Sequence, residues 1–157
     1  MNVQSLVIHL EDTIALEIES KRTALAWIER LEGALSDYDP DRFAEVVEDG
    51  AAITRGDEGN TARRQRLLGQ LAGAWRVPQG TLTLGGIARR LGEGGARLEV
   101  LREDLRQAVS EVLRRRRRLS ALIGMHQRIN SDLMQLVLGC ESEEELAQGG
   151  SLINAEV

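Results

Sequence analysis

Residues 98–140 read LEVLREDLRQAVSEVLRRRRRLSALIGMHQRINSDLMQLVLGC, and apolar residues recur in this stretch every seven positions. One series consists of Leu98, Leu105, Val112, Leu119, His126, Leu133 and Cys140. The series between them consists of Leu101, Ala108, Arg115, Leu122, Ile129 and Leu136. Two such series form one apolar seam along a helix, which would be about 65 Å long. The stretch therefore predicts a long helix that packs against another helix.

The composition is that of an extended helical protein. The 157 residues include 3% aromatic residues, 2 prolines and 29% charged residues, which is unlike a compact enzyme. We predict an all-α fold, either an elongated antiparallel helical hairpin or a three-helix bundle, with one long C-terminal helix. The helical bundle domain is predicted over residues 1–140, and a flexible tail over residues 141–157.

Two more helices are predicted before the long one. Apolar residues at three- and four-residue steps predict a first helix over about residues 2–36. A short amphipathic piece over residues 41–48 follows, and a second helix is expected over Thr61–Trp75. Because glycine ends helices readily, we expect Gly56–Gly59 to form a turn between these two pieces.

The connection to the long helix contains a proline and several glycines. Pro78 is predicted to end the second helix, since proline lacks the N–H that a helix interior needs. Residues Thr81–Leu91 predict a short helix with a threonine cap. The long helix is then expected to begin after Gly94 and Gly95.

Charge is arranged in blocks that the overall net charge of -5 conceals. Residues 1–60 carry 14 acids and 5 bases, residues 61–139 carry 6 acids and 15 bases, and the remaining residues carry 5 acids. An acidic first helix and a basic long helix are expected to pack together. Exposed ion pairs contribute only roughly 0.2 to 1 kcal/mol each, so they would select the register while apolar burial supplies the stability.

Arg114–Arg118 is the most basic segment of the chain. The preferred interpretation is that these arginines are solvated and pair with the acidic first helix. Two alternatives are phosphate binding in a nucleic acid and docking to an acidic patch on a partner protein. No aromatic residues are interleaved for base stacking and the whole chain is acidic, so no nucleic-acid partner is expected.

Several single residues have an ordinary packing role as their preferred interpretation. Arg115 and His126 interrupt the seam, and polar seam residues usually set the register; the alternatives for His126 are a pH sensor or a metal ligand. Cys140 is either a small apolar packing residue or a reactive thiol. Trp27 and Trp75 are expected to be packing anchors.

The chain is not expected to be an enzyme. No nucleophile, base and orienting group can be assembled from it, and no metal or cofactor is expected. A single cysteine excludes an intramolecular disulfide, and no run of about 20 apolar residues could span a membrane. Acidic residues near the N-terminus are unlike a secretory signal, so a cytoplasmic location is expected.

The order of these segments resembles the FlgN family of flagellar export chaperones. The helix ARRQRLLGQLAGAW, the break VPQGTLTLGGIARRL and the long Arg- and Leu-rich helix follow in the order found in that family. TLTLGGIARRL is similar to the family's "TLSELA" segment, and Ser120–Ile123 stands where the family has residues like "N-x-x-N-x-x-L-I". Arg117 and Ser120 stand near positions where the family often has asparagine.

The resemblance implies a cytoplasmic chaperone that binds hook-associated subunits, the proteins of the hook-filament junction, before type III export. Export-apparatus components would be further partners. The client would bind near the C-terminal end of the long helix, and Leu152 and Ile153 in the tail would provide an anchor. The candidate client-binding residues are Leu119, Leu122, Ile123, Met125, Ile129, Leu133, Met134, Leu136 and Val137.

Other interpretations of these residues stay open. Each candidate residue could instead belong to the bundle core. The main rival function is a structural coiled coil that forms a homodimer through the same seam, and an arginine-mediated nucleic-acid binder is the third. Because the first helix is shorter than the long helix, one end of the seam is expected to need another cover.

Overall fold

A computed structural model describes residues 2–138, and most of them are helical. The four α-helices are α1 (Val3–Ser36), α2 (Pro40–Trp75), α3 (Leu84–Leu91) and α4 (Ala96–Leu138). Short 3-10 turns occur at Gln79–Thr81 and Gly92–Gly95. Since residues 2–138 contain no β-strand, the predicted all-α class is confirmed.

The chain divides into two compact units, and the division falls within α4. The first unit extends to Leu119 and the second begins at Ser120. Within the described part, the second unit consists of the C-terminal portion of α4 alone. The predicted tail over residues 141–157 lies outside the described residues, so it stays a prediction.

The predicted first helix is confirmed, and its ends follow from local hydrogen bonds. The Asn2 side chain caps α1 by accepting a hydrogen bond from the Ser5 N–H at 2.8 Å. The turn to α2 places Tyr38 in the left-handed region, with φ 53°. Asp39 then caps α2 by accepting from the Arg42 N–H at 2.9 Å, and Pro40 takes the first helical position.

Helices α1 and α2 form an antiparallel hairpin. The Trp27 Nε1–H donates to the Val46 carbonyl at 2.6 Å, near the turn. Farther from the turn, Lys21 pairs with Asp57 at 2.5 Å. These pairs hold α2 along α1 for most of its length, so the helix continues through the segment that was expected to break.

The expected turn at Gly56–Gly59 is therefore wrong, because α2 is one helix from Pro40 to Trp75. Glycine lowers helix stability by only about 1 kcal/mol relative to alanine, and tertiary packing commonly exceeds that cost. Gly50 has a packing reason: a Cβ there would lie 2.5 Å from Cζ2 of Trp27. The indole thus packs directly on the α2 backbone.

Helix α2 ends shortly before Pro78, as predicted, whereas α3 begins later than predicted. Arg76 adopts the left-handed conformation, with φ 53°, and the Val77 N–H donates to the Ala72 carbonyl. Helix α3 begins at Leu84 instead of Thr81. Thr83 is its cap, since its hydroxyl accepts from the Gly86 N–H at 3.0 Å.

Helix α4 begins at Ala96, as its two preceding glycines predict. Gly95 allows the chain to pass close to α3, because a Cβ there would lie 2.1 Å from the Ala88 carbonyl oxygen. Gly92 has φ +60°, which favours glycine. These two glycines connect α3 and α4 tightly.

In the first unit, α4 lies parallel to α1. Arg97 lies 3.5 Å from Glu11, and Arg115 lies 3.1 Å from Glu29, so both helices advance in the same direction. Together with the antiparallel α2 they form a three-helix bundle. One core cluster joins all four helices and contains Leu6, Val7, Leu10, Ile14, Ile18, Leu67, Leu68, Leu71, Ile87, Ala88, Leu98 and Leu105.

Candidate functional site

The seam of α4 is covered throughout the first unit. Leu98 is fully buried, and Leu105 and Leu119 are also buried. Leu101 and Val109 are partly buried against the same core cluster. Apolar burial of this kind stabilises the bundle, so this portion of the seam has a structural role.

Beyond Leu119 most of the apolar residues of α4 are exposed. Leu136 is 82% exposed, Val137 is 75% exposed and Leu133 is 55% exposed. Met125 and Ile129 are also exposed, and Leu122 is half-buried. Exposed apolar residues that are contiguous mark interaction surfaces in many proteins, whereas scattered ones do not.

These residues are contiguous because of their helical spacing. At about 100° per residue, six of them fall within an arc of about 120° on one face of the second unit's helix. The polar seam residue His126 lies within the same arc. We call the apolar residues of this face the apolar stripe, and they are Leu122, Met125, Ile129, Leu133, Leu136 and Val137. The stripe is about 23 Å long, which is long enough to contact several turns of a partner helix.

The nine predicted client-binding residues therefore separate into three groups. Leu119 is 7% exposed and belongs to the buried residues of the first unit, so the core interpretation holds for it. Ile123 and Met134 lie roughly 100° or more from the centre of the stripe and flank it on one side. The other six form the stripe.

Sequence reasoning overlooked the charged residue nearest to the stripe. Asp132 is exposed and lies about 80° from the stripe's centre, on the side opposite Ile123. The heptad pattern could have identified Asp132 as a residue that borders the stripe, since it directly precedes the seam residue Leu133. Ser131 lies about 180° from the stripe and is exposed, so it marks the polar face.

Two arginines of the run, Arg115 and Arg118, lie against acidic residues of the first helix, as the preferred interpretation predicts. Arg115 is half-buried and donates to Glu29 at 3.1 Å and to Glu32 at 3.0 Å. Arg118 lies 3.8 Å from the other oxygen of Glu32, too far for a hydrogen bond. That oxygen is buried and accepts no hydrogen bond in the described part of the chain. Glu32 is thus held by charge as well as by hydrogen bonding.

Arg114 pairs within its own helix. Its guanidinium donates to Glu111 at 2.5 Å, and this hydrogen bond lowers the pKa of Glu111 and raises the pKa of Arg114. Arg116 and Arg117 are exposed and carry no ion pair with any residue between 2 and 138. Arg115, with Arg118 nearby, is therefore the part of the run that sets the register of α4 against α1, whereas Arg116 and Arg117 are exposed.

The tryptophans are packing residues, as expected. Trp27 is part-buried against α2, and Trp75 packs against the core cluster with the Arg90 guanidinium 4.7 Å from its ring centroid. His126 is half-buried, and the described residues contain no group of three or more His, Cys, Asp or Glu that could hold a metal ion. Cys140, Leu152 and Ile153 lie outside the described residues.

A groove of about 410 Å³ lies between α3 and the start of α4. Its lining includes Gly85, Arg89, Glu99 and Arg102. Arg102 pairs with Glu99 at 2.5 Å, which neutralises one of the two arginines. Glu99, Arg89 and Arg102 are the charged residues among the described residues that line this groove.

Within residues 2–138, no helix combines the length and the apolar character needed to cross a membrane. No protein-family model matches the chain, and no curated protein or solved structure matches it. The resemblance to the FlgN family therefore rests on the order of the helices, on the TLTLGGIARRL segment and on Ser120–Ile123.

Proposed function

We propose that this protein is a non-enzymatic cytoplasmic chaperone of type III flagellar export, and that it binds hook-associated subunits through the apolar stripe. The observation that carries the proposal is the exposure of the stripe, above all Leu133, Leu136 and Val137. Because apolar surface in water is unfavourable, a stripe of this size is consistent with a partner-binding role.

The shape of the stripe suits a helical client segment. Its residues follow one another at three- and four-residue steps, which is the spacing that a partner helix contacts. Met125 lies on the stripe and Met134 beside it, and their flexible thioethers adapt to different partner side chains. A client helix shielded in this way would not aggregate or assemble before export.

The resemblance to the FlgN family supports the identity of the client. TLTLGGIARRL forms the α3 helix with its Thr83 cap and the residues before it, and Ser120–Ile123 opens the second unit of α4. In the resembled family, the client end is C-terminal. The stripe lies at that end of the described chain.

Co-expression with the hook-associated subunits of its own organism tests the proposal. The wild-type chain should co-purify with at least one of them. The double variant Leu122→Asp, Ile129→Asp should lose this binding, because two carboxylates would need to be buried against the client. Helicity measured by circular dichroism should remain, since the described contacts of the core cluster lie elsewhere.

A matched control comes from the polar face. Gln127→Asp with Ser131→Asp adds the same two charges at exposed positions away from the stripe, and it should leave co-purification unchanged. A wild-type chain that is folded yet captures no hook-associated subunit would contradict the proposal.

Self-association is the second candidate, because an exposed apolar stripe can also pair with its own copy. A dimer in sedimentation equilibrium that is lost in the Leu122→Asp, Ile129→Asp variant, without client binding by wild type, would favour a structural coiled coil. An arginine-mediated nucleic-acid binder would instead lose affinity steeply with salt and after substitution of Arg116 and Arg117.

A further inference from the structure

The apolar stripe lies between two segments of opposite charge in the sequence. The arginines of Arg114–Arg118 precede it, and none of the residues 139–157 is basic. Between these segments, Ser120–Leu138 contains one charge of each sign, Asp132 and Arg128, besides His126. The segment after Leu138 carries five glutamates, which are Glu141, Glu143, Glu144, Glu145 and Glu156. The chain therefore changes from positive to negative across the stripe.

Three arginines of the run can pair with carboxylates of another molecule. Arg116 and Arg117 are exposed and carry no ion pair with any residue between 2 and 138. The Arg118 side chain is 69% exposed, and its distance of 3.8 Å from Glu32 is too long for a hydrogen bond. An acidic segment of a partner would therefore find guanidinium donors at this end of the stripe.

A second copy of this chain supplies such a segment when the two stripes pack antiparallel. The stripe's midpoint lies between residues 129 and 130, so aligned midpoints place Leu138 of one copy opposite Ala121 of the other. Arg118 precedes Ala121 by three residues, and Glu141 follows Leu138 by three residues, which is at most about 11 Å of chain. The glutamates of each copy would thus come next to the arginine run of the other, at both ends of the contact.

Orientation decides the sign of the electrostatic interaction. In a parallel pair the two arginine runs would lie side by side, as would the two glutamate segments, so like charges would repel. In the antiparallel pair, unlike charges meet at both ends. Glu141 cannot reach the arginine run of its own chain instead, because Ser120–Leu138 alone is about 27 Å long and Glu141 lies within about 11 Å of Leu138.

We infer that, in the absence of a client, two copies of this chain pair antiparallel through their apolar stripes, and that Arg116, Arg117 and Arg118 of each copy pair with the glutamates that follow Leu138 in the other. The contact is isologous, because each copy presents the same apolar surface and the same two charged segments. It shields the stripe from water until a client takes its place, and this last step rests on the proposed function.

His126 keeps this pairing weak enough to be reversible. It is half-buried and lies within the arc of the stripe, and a polar seam residue sets the register at a cost in stability. The stripe is also only about four helical turns long. A client helix that offers more apolar contact can therefore displace the second copy.

Exchange of charges within the full chain tests the pairing. Four proteins are compared by sedimentation equilibrium in about 0.05 M NaCl, where screening is weak. They are wild type, Arg116→Glu with Arg117→Glu, Glu143→Lys with Glu144→Lys, and the variant with all four substitutions. Circular dichroism checks that each protein is folded.

We expect wild type to form a reversible dimer. Each two-residue variant should dimerise at least about tenfold more weakly, because the substituted side chains carry the same sign as the residues they face. The four-residue variant should recover the wild-type dissociation constant to within about threefold, since opposite charges meet again with their places exchanged. A monomeric wild type, or a four-residue variant that dimerises no better than the two-residue variants, would overturn the inference.

Stripe variants and the client experiment separate the two proposals. Ile129→Asp should abolish the dimer, because a carboxylate would be buried at its centre, whereas Ser131→Asp on the polar face should not. If wild type is a dimer but no hook-associated subunit co-purifies with it, the proposed client is wrong and the pairing stands. If a hook-associated subunit co-purifies with a chain that is monomeric alone, the pairing is wrong and the chaperone function stands.

Discussion

Helix α4 contains two regions with the same apolar periodicity and opposite burial. Residues 96–119 bury Leu98, Leu105 and Leu119, whereas residues 120–138 expose Leu133 and Leu136. Leucine spacing alone does not distinguish these regions. The difference lies in whether another helix covers the seam.

The length of α1 explains where the cover stops. Arg115 pairs with Glu29 and Glu32, which precede it by 86 and 83 residues. Because parallel helices rise equally per residue, the smaller separation from Ser36, the last residue of α1, reaches Leu119. Within the first unit, the cover by α1 therefore extends to the last residue of its part of α4.

The largest expected difference between the two regions is the effect of their leucines on stability. Leu98→Ala should lower the free energy of unfolding by about 2 to 5 kcal/mol, because it leaves a cavity in the core. Leu133→Ala, at the same heptad position but 55% exposed, should change it by less than about 0.5 kcal/mol. Urea unfolding followed by circular dichroism measures both, and equal losses would contradict this assignment.

Two glycines should respond to alanine with opposite signs. Gly95→Ala should destabilise the protein by about 1 to 3 kcal/mol, because its Cβ would meet the Ala88 carbonyl oxygen. Gly124→Ala should stabilise the helix by about 0.5 to 1 kcal/mol, since an added Cβ would have no atom within 4 Å beyond its chain neighbours and its own helix backbone. Thermal midpoints of both variants test this, and a stabilising Gly95→Ala would refute the close contact.

Arginines of the two regions should also differ in how much they stabilise the protein. Arg115→Ala should reduce the free energy of unfolding by about 1 to 2 kcal/mol, because Glu32, only 12% exposed, loses its hydrogen-bond donor. Arg128→Ala, at an exposed position in the second region, should change it by less than about 0.5 kcal/mol. Chemical denaturation of both variants provides the measurement. A loss for Arg128→Ala as large as that for Arg115→Ala would show that the second region also depends on charge pairing.

The smallest expected effect is a pH dependence in the first region. Hydrogen bonds from Arg106 and Gln107 lower the pKa of Glu103 to about 2. The pKa of glutamate in an unfolded chain is about 4.3. The stabilisation that these hydrogen bonds give the folded state is therefore fully present above that pH, and it is lost as the pH falls towards about 2. Glu103→Gln should therefore show a slightly flatter decline of the thermal midpoint over this interval. An unchanged decline would mean that other carboxylates dominate it.

Much of the fold follows from local sequence patterns. The spacing of apolar residues predicts the extent of α1 to within a few residues, and the glycines before Ala96 predict the start of α4. Pro78 predicts the end of α2. The middle of α2 could not be predicted this way. Its glycines favour a turn locally, and only contacts such as Trp27 against Gly50 outweigh that preference.

The candidate site was only partly predictable for the same reason. The seam indicates that Leu119 and Leu133 are equivalent, because both occupy the same heptad position. The structure separates them, since Leu119 is buried and Leu133 is exposed. No local pattern contains this information, because burial depends on how far a distant helix extends.

By itself, the sequence determined the helical class, both ends of the first helix, the start of the long helix, and the existence of one apolar seam. Local backbone preferences and side-chain periodicity act within a few turns, so they are visible in the chain. Tertiary structure alone decided that α2 is continuous, that α4 lies parallel to α1 in the first unit, and which apolar residues remain exposed. Those features depend on contacts between residues far apart in the chain, whose energies no single segment contains.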